Sequence, residues 1–207
     1  MAETASRRRS RKREMPPQFA RYISRIAVDW AALEFHINEL IWALAKVEPG
    51  LGACITAQIF SLDARLKALV TLLKIRRVDQ RLIDSVKKFS NGCREELEIR
   101  NRTLHDAWAR KGNGEWARLE ITARHSLKFE FITVSVEDLK RDYEKVRNCV
   151  LAFRTIRSAV LGALPSLPES FEAEVRPILR YEDFMKKLGA VNAKPRRADR
   201  KRATSPT

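Results

Sequence analysis

From Pro16-Pro17 onward the apolar residues Phe19, Ile23, Ile26, Trp30, Leu33, Ile37, Leu40 and Leu44 recur in steps of three and four. That spacing predicts a long amphipathic helix ending near Glu48-Pro49-Gly50. Phe35, Ile41 and Trp42 widen its stripe, so more than one partner surface must cover it. Residues 51–60 are apolar enough for a short helix. Ser61, followed by Asp63 and Ala64, reads as the start of another that carries Leu62, Leu66, Leu69 and Leu73, with Arg76-Arg77 in its last turn. From Asp79 the series Leu82, Val86, Phe89, Cys93 and Leu97 predicts a helix that runs on through residues 100–105, with Asn91-Gly92 as a weak point.

Around Lys111-Gly112-Asn113-Gly114 the period changes from helical to alternating. Ala117, Leu119, Ile121 and Ala123 share one face of a strand, and Leu127, Phe129 and Phe131 share one face of the next. A three-residue loop at 125–127 would set Ala123 opposite Phe129 and Ile121 opposite Phe131, keeping the apolar sides together, so the expectation is a β-hairpin over about 115–134 with a loop of odd length. Ser135-Val136-Glu137-Asp138 has the form of a capping box, and Leu139, Tyr143, Val146, Val150, Phe153 and Val160 continue a second long helix to Pro165. A shorter helix is expected over 169–188, interrupted near Pro177.

The predicted fold is mainly α: an antiparallel helical bundle in one domain, residues 16–188, with one inserted β-hairpin. Residues 1–15 and 189–207 lack apolar periodicity and are predicted to be disordered basic tails. Of the formal net charge of +15, residues 1–14 hold +4, six Arg or Lys against Glu3 and Glu14. Residues 190–207 hold +5, six against Asp199, which leaves +6 for the body. An excess of that sign makes RNA, DNA or a nucleotide the leading partner class, with the tails acting as electrostatic arms or simply as solubilising segments.

Other classes are disfavoured. No apolar run approaches the ~18–20 residues a membrane span needs, and no apolar stretch follows Arg7 to Arg13 as a secretory signal would require. A cytoplasmic protein is expected. Cys54, Cys93 and Cys149 are odd in number, form no C-x-x-C pair and are expected to pack as small core residues. No His/Asp/Glu cluster has a credible ligand spacing, so neither a metal nor another cofactor is predicted.

The chemistry concentrates in Glu98-Ile99-Arg100-Asn101-Arg102-Thr103-Leu104-His105, which sets an always-charged guanidinium and a group titrating near neutrality in one helical segment. Arg100-Asn101-x-x-x-His105 in a helical chain resembles the R-N-x-x-x-H signature of the HEPN superfamily (higher eukaryotes and prokaryotes nucleotide-binding). The resemblance implies a small bundle that often dimerises and a metal-independent endoribonuclease with the role of a toxin or defence effector restrained by an antitoxin or other regulatory protein. In that reading His105 moves the proton at the RNA 2′-hydroxyl or leaving oxygen, Arg100 stabilises the phosphorane, and Asn101 orients the imidazole or the phosphate. An ideal helix sets Arg100 and His105 roughly 140° apart, so a kink or a symmetric partner would be needed for them to converge.

The same stretch has a plainer reading. Glu96, Glu98 and Asp106 stand four residues from Arg100, Arg102 and Arg102 respectively, a spacing that suits surface ion pairs. A catalytically inactive helical module binding RNA, nucleotide or protein is therefore the alternative. Arg102, Arg110 and Lys111 are candidate nucleic-acid contacts, with Trp108 and Trp116 flanking the basic pair Arg110-Lys111 as base-stacking residues or, more in keeping with tryptophans beside a loop, as anchors on the core. His36 and His125 are expected to be structural or solvent-facing.

Overall fold

The computed structural model describes residues 14–123 and 127–164. The chain is mainly helical, with six helices and one three-stranded antiparallel sheet among the described residues. The helices are α1 (Pro17–Ala45), α2 (Pro49–Thr56), α3 (Leu62–Ile75), α4 (Gln80–Gly92), α5 (Arg94–His105) and α6 (Val136–Ala163). The strands β1 (Ala107–Arg110), β2 (Trp116–Thr122) and β3 (Lys128–Thr133) lie between α5 and α6. The tails beyond these limits, His125 and the helix expected over 169–188 lie outside the described residues, although Met15 already packs against Phe19, Val134 and Leu139.

The apolar stripes become the core. Ile26, Trp30, Leu33, Ile37, Leu40 and Leu44 of α1 are buried with Leu66, Leu69 and Leu73 of α3, Val86 and Phe89 of α4, and Val146, Val150 and Phe153 of α6. Glu39 is the exception on α1: it is 1% exposed, and Arg157 of α6 donates to both its oxygens, Nε to Oε2 at 2.8 Å and Nη2 to Oε1 at 2.7 Å. A buried charge is tolerated only when paired in this way, and the pair ties the two longest helices together. His36 lies beside it, Nδ1 3.5 Å from Glu39 Oε2, in a structural position.

Helix ends follow local chemistry. Ser61 Oγ accepts from the Ala64 amide at 3.0 Å to start α3, and Ser135 with Asp138 forms the reciprocal capping box that starts α6. Arg76-Arg77 do not sit in the last turn of α3 as expected: Arg76 is its C-cap and Arg77 takes a positive φ of 54°. Arg76 Nε donates to the Leu44 carbonyl at 2.6 Å, so its donors serve the C-terminal end of α1. The weak point at Asn91-Gly92 is a break, since α4 stops at Gly92 and α5 begins at Arg94.

The sheet differs from the expected hairpin in two respects. It has a third strand, β1, paired to β2 with Ala107 opposite Leu119 and Arg110 opposite Trp116, so Lys111 to Gly114 form a second hairpin turn. Gly114 takes φ 93° there, a conformation open to glycine at no steric cost. The β2–β3 register is also two residues from the expected one: Ile121 faces Phe129 and Leu119 faces Phe131, leaving residues 123–127 as a connection of odd length. A shift of two keeps every side chain on its face, because the strand period is two, so the hydrophobic pattern cannot distinguish these registers.

Cys54 is exposed, against expectation, because α2 turns Gly52 and Thr56 inward and Cys54 outward. Cys93 and Cys149 are buried; burial raises both thiols, Cys149 to about 12. Thiols held protonated at neutral pH are poor nucleophiles.

Candidate active site

α5 carries Glu95 and Glu96 in its first turn and Arg102 and His105 in its last, charges that suit the two ends of the helix dipole. Thr103, 1% exposed, marks its buried side, while Asn101 and His105 are exposed and Arg100 lies between. The helix ends at Asp106, whose extended backbone leads directly into β1.

Arg100, Asn101 and His105 come together within one chain. Arg100 Nη1 donates to Asn101 Oδ1 at 2.9 Å and lies 2.9 Å from His105 Nε2. A guanidinium has no acceptor, so Nε2 accepts, and the neutral imidazole carries its hydrogen on Nδ1. Nη1 has two hydrogens and two acceptors, which fixes the relative positions of the three side chains. Neither a helix kink nor a second copy is needed for this contact, because the flexible arginine stem reaches around the helix.

The plain ion-pair reading fits Arg102 and not Arg100. Arg102 Nη2 lies 3.0 Å from Glu120 Oε1, its Nη1 is 3.7 Å from Asp106 Oδ2, and its Nε is 3.9 Å from Glu98 Oε1. Arg118 completes the cluster, Nε 3.3 Å from Asp106 Oδ2. Among the described residues no carboxylate pairs with Arg100; its Nε and Glu96 Oε2 are both buried without a hydrogen-bond partner. The cluster clamps the residue after His105 to β2, so the helix end that bears the imidazole is fixed against the sheet.

The other candidate contacts are not gathered at this point. Arg110 Nε donates to the Gly114 carbonyl at 3.0 Å and Lys111 Nζ donates to Thr133 Oγ1, both at the far end of β1 from His105. Trp108 and Trp116 are anchors: each ring lies near Phe19, at centroid distances of 6.2 and 6.3 Å, and Trp108 Nε1 donates to the Thr103 carbonyl at 3.0 Å. Sequence reasoning missed Arg118, Glu120 and Glu39. The alternation Arg118-x-Glu120 opposite the strand's apolar positions was a usable signal for the first two, whereas the burial of Glu39 depends on Arg157, 118 positions away.

No group of three or more His, Cys, Asp or Glu among the described residues could hold a metal ion. No helix among them is long and apolar enough to cross a membrane. Comparison with protein-family models, curated proteins and solved structures finds no match to this chain.

Proposed function

We propose that this protein is a metal-independent endoribonuclease of the HEPN type, with an antiparallel helical bundle as its scaffold and Arg100, Asn101 and His105 as its catalytic residues. The observation that carries the reading is the 2.9 Å contact of Arg100 Nη1 with both Asn101 Oδ1 and His105 Nε2 on an exposed helix end. An RNA phosphate entering there supplies a better acceptor for the guanidinium than a neutral imidazole. His105 Nε2 is then free to take the proton of the adjacent 2′-hydroxyl. The 2′-oxygen attacks phosphorus, Arg100 stabilises the charge on the phosphorane, and the P–O5′ bond breaks. The departing 5′-oxygen takes a proton from an imidazolium or from water, leaving a 2′,3′-cyclic phosphate and a 5′-hydroxyl. A homodimer would set a second Arg100–His105 pair across a two-fold axis as the source of that proton.

The alternative, a non-cleaving module that binds RNA, nucleotide or protein, is favoured by the same contact read statically, since the Nε2 lone pair is occupied by Arg100. End-labelled single-stranded RNA incubated in EDTA with wild type, Arg100→Ala and His105→Ala separates the two. The nuclease reading expects cleavage by wild type alone; binding by all three without cleavage contradicts it. A toxin or defence role under a regulatory partner, and a cytoplasmic site of action, belong to the same proposal.

A further inference from the structure

The two faces of the sheet have different fates. Even-numbered residues point to the helices: Trp108, Trp116 and Ile132 pack around Phe19 and Leu139, while Arg118 and Glu120 join the ion cluster at the end of α5. The odd-numbered face is left uncovered beyond Ala117, with Phe129 63%, Phe131 55% and Ile121 50% exposed. Ile121 stands opposite Phe129 and Leu119 opposite Phe131, so the two rings form one apolar row along β3.

This row begins beside the candidate active site. The cross-strand line Phe131–Leu119 ends on β1 at Ala107, two residues after His105. Arg100 has no carboxylate partner among the described residues, whereas Arg102 and Arg118 are neutralised by Asp106 and Glu120. The uncovered face thus belongs to a chain of net charge +15, and the helix that precedes β1 carries an arginine with no carboxylate partner among the described residues, which favours a polyanion as its occupant.

Size points the same way. Large side chains of this kind bury about 150–250 Å² each when fully covered, so Phe129, Phe131 and Ile121, each at least half exposed, leave about 250–400 Å², against about 800 Å² per partner in a stable protein complex. Phe129 and Phe131 lie two residues apart on one strand, about 6.8 Å, which gives each ring room for a base of its own.

We propose that the outer face of the sheet, centred on Phe129 and Phe131, is a stacking platform for unpaired bases of a single-stranded RNA whose phosphate lies at Arg100. The inference builds on the ribonuclease reading in taking that phosphate as the neighbour of the stacked bases. It transfers to these phenylalanines the role that the sequence offered to Trp108 and Trp116, whose rings are spent on the core.

The test is fluorescence anisotropy of a labelled, uncleavable 2′-fluoro single-stranded RNA against the full chain. Wild type is compared with the paired substitutions Phe129→Ala/Phe131→Ala, Phe129→Leu/Phe131→Leu and Phe129→Tyr/Phe131→Tyr, each checked for folding by circular dichroism. Leucine keeps the apolar area but has no π face, so the alanine and leucine variants are expected to bind about tenfold or more weakly and the tyrosine variant as wild type does. No binding by wild type, equal binding by all variants, or recovery of affinity by leucine would overturn the platform. So would sedimentation velocity showing that wild type self-associates and the alanine variant does not, with RNA affinity unchanged, because the face would then be a protein interface. Affinity lost in the alanine and leucine variants of a protein that never cleaves RNA would uphold the platform and remove the nuclease reading. Cleavage that depends on His105 with affinity indifferent to the phenylalanines would do the reverse.

Discussion

At the scale of single residues, Arg100 combines reach with a planar set of donors. Its Cα is displaced from that of His105 by roughly 140° around an ideal helix, yet its Nη1 meets both Asn101 and the imidazole at 2.9 Å. Lysine at this position keeps the charge and loses the fork. Arg100→Lys is therefore expected to lower kcat at least tenfold with little change in thermal midpoint; equal activity would remove the donor geometry from the account. A second residue-scale expectation concerns Asp138, whose carboxyl the Ser135 side chain and amide hold below the usual range by hydrogen bonding, with Arg141 adding to the effect. A depressed carboxyl stabilises the fold above its unfolded pKa and loses that contribution as pH falls through the folded value. Asp138→Asn should accordingly narrow its stability deficit relative to wild type as pH drops below about 4, measured by urea unfolding at stepped pH. The residue types of this site were legible in the sequence. The meeting of Arg100 and His105 was not, because helical angles describe where a side chain starts and not where a long one ends.

Between elements, the sequence revealed faces more readily than partners. The stripes of α1, α3 and α6 and the Ser135 cap are read directly from spacing, and so is the weak point between α4 and α5. β1 escaped because four residues, Ala-Trp-Ala-Arg, give too short an alternation, and the β2–β3 register escaped because a shift of two preserves the pattern. Two packing features carry predictions. The close approach of α2 to α1 leaves no room at Gly52, where a Cβ would lie 2.4 Å from Trp42 Cγ. Gly52→Ala should cost about 1–3 kcal/mol in chemical denaturation. Arg157→Met strands Glu39 as a buried unpaired charge and should cost about 3–5 kcal/mol, with Glu39→Gln in the same background recovering part of the loss. A midpoint unchanged in Arg157→Met would show that the pair does not join α1 to α6 in solution.

For the molecule as a whole, the proposed function sets RNA at the sheet side of α5. The fold spends Arg102 and Arg118 on internal ion pairs and leaves Arg100 beside an imidazole, in a chain whose terminal sequences add further basic charge. Phosphate contacts of this kind release counterions, so RNA affinity should fall steeply and linearly on logarithmic axes as salt rises; affinity indifferent to salt would count against a polyanionic ligand. The central claim is that Arg100 and His105 cleave RNA through its own 2′-hydroxyl. The most direct measurement first maps the cut made by wild type in a defined single-stranded RNA, then repeats the reaction on the same strand with one 2′-deoxy substitution on the 5′ side of that cut. The account predicts that this single change abolishes cleavage at that bond and that the native strand yields a 2′,3′-cyclic phosphate. Continued cutting at the deoxy position, or a 5′-phosphate on the product, would contradict it.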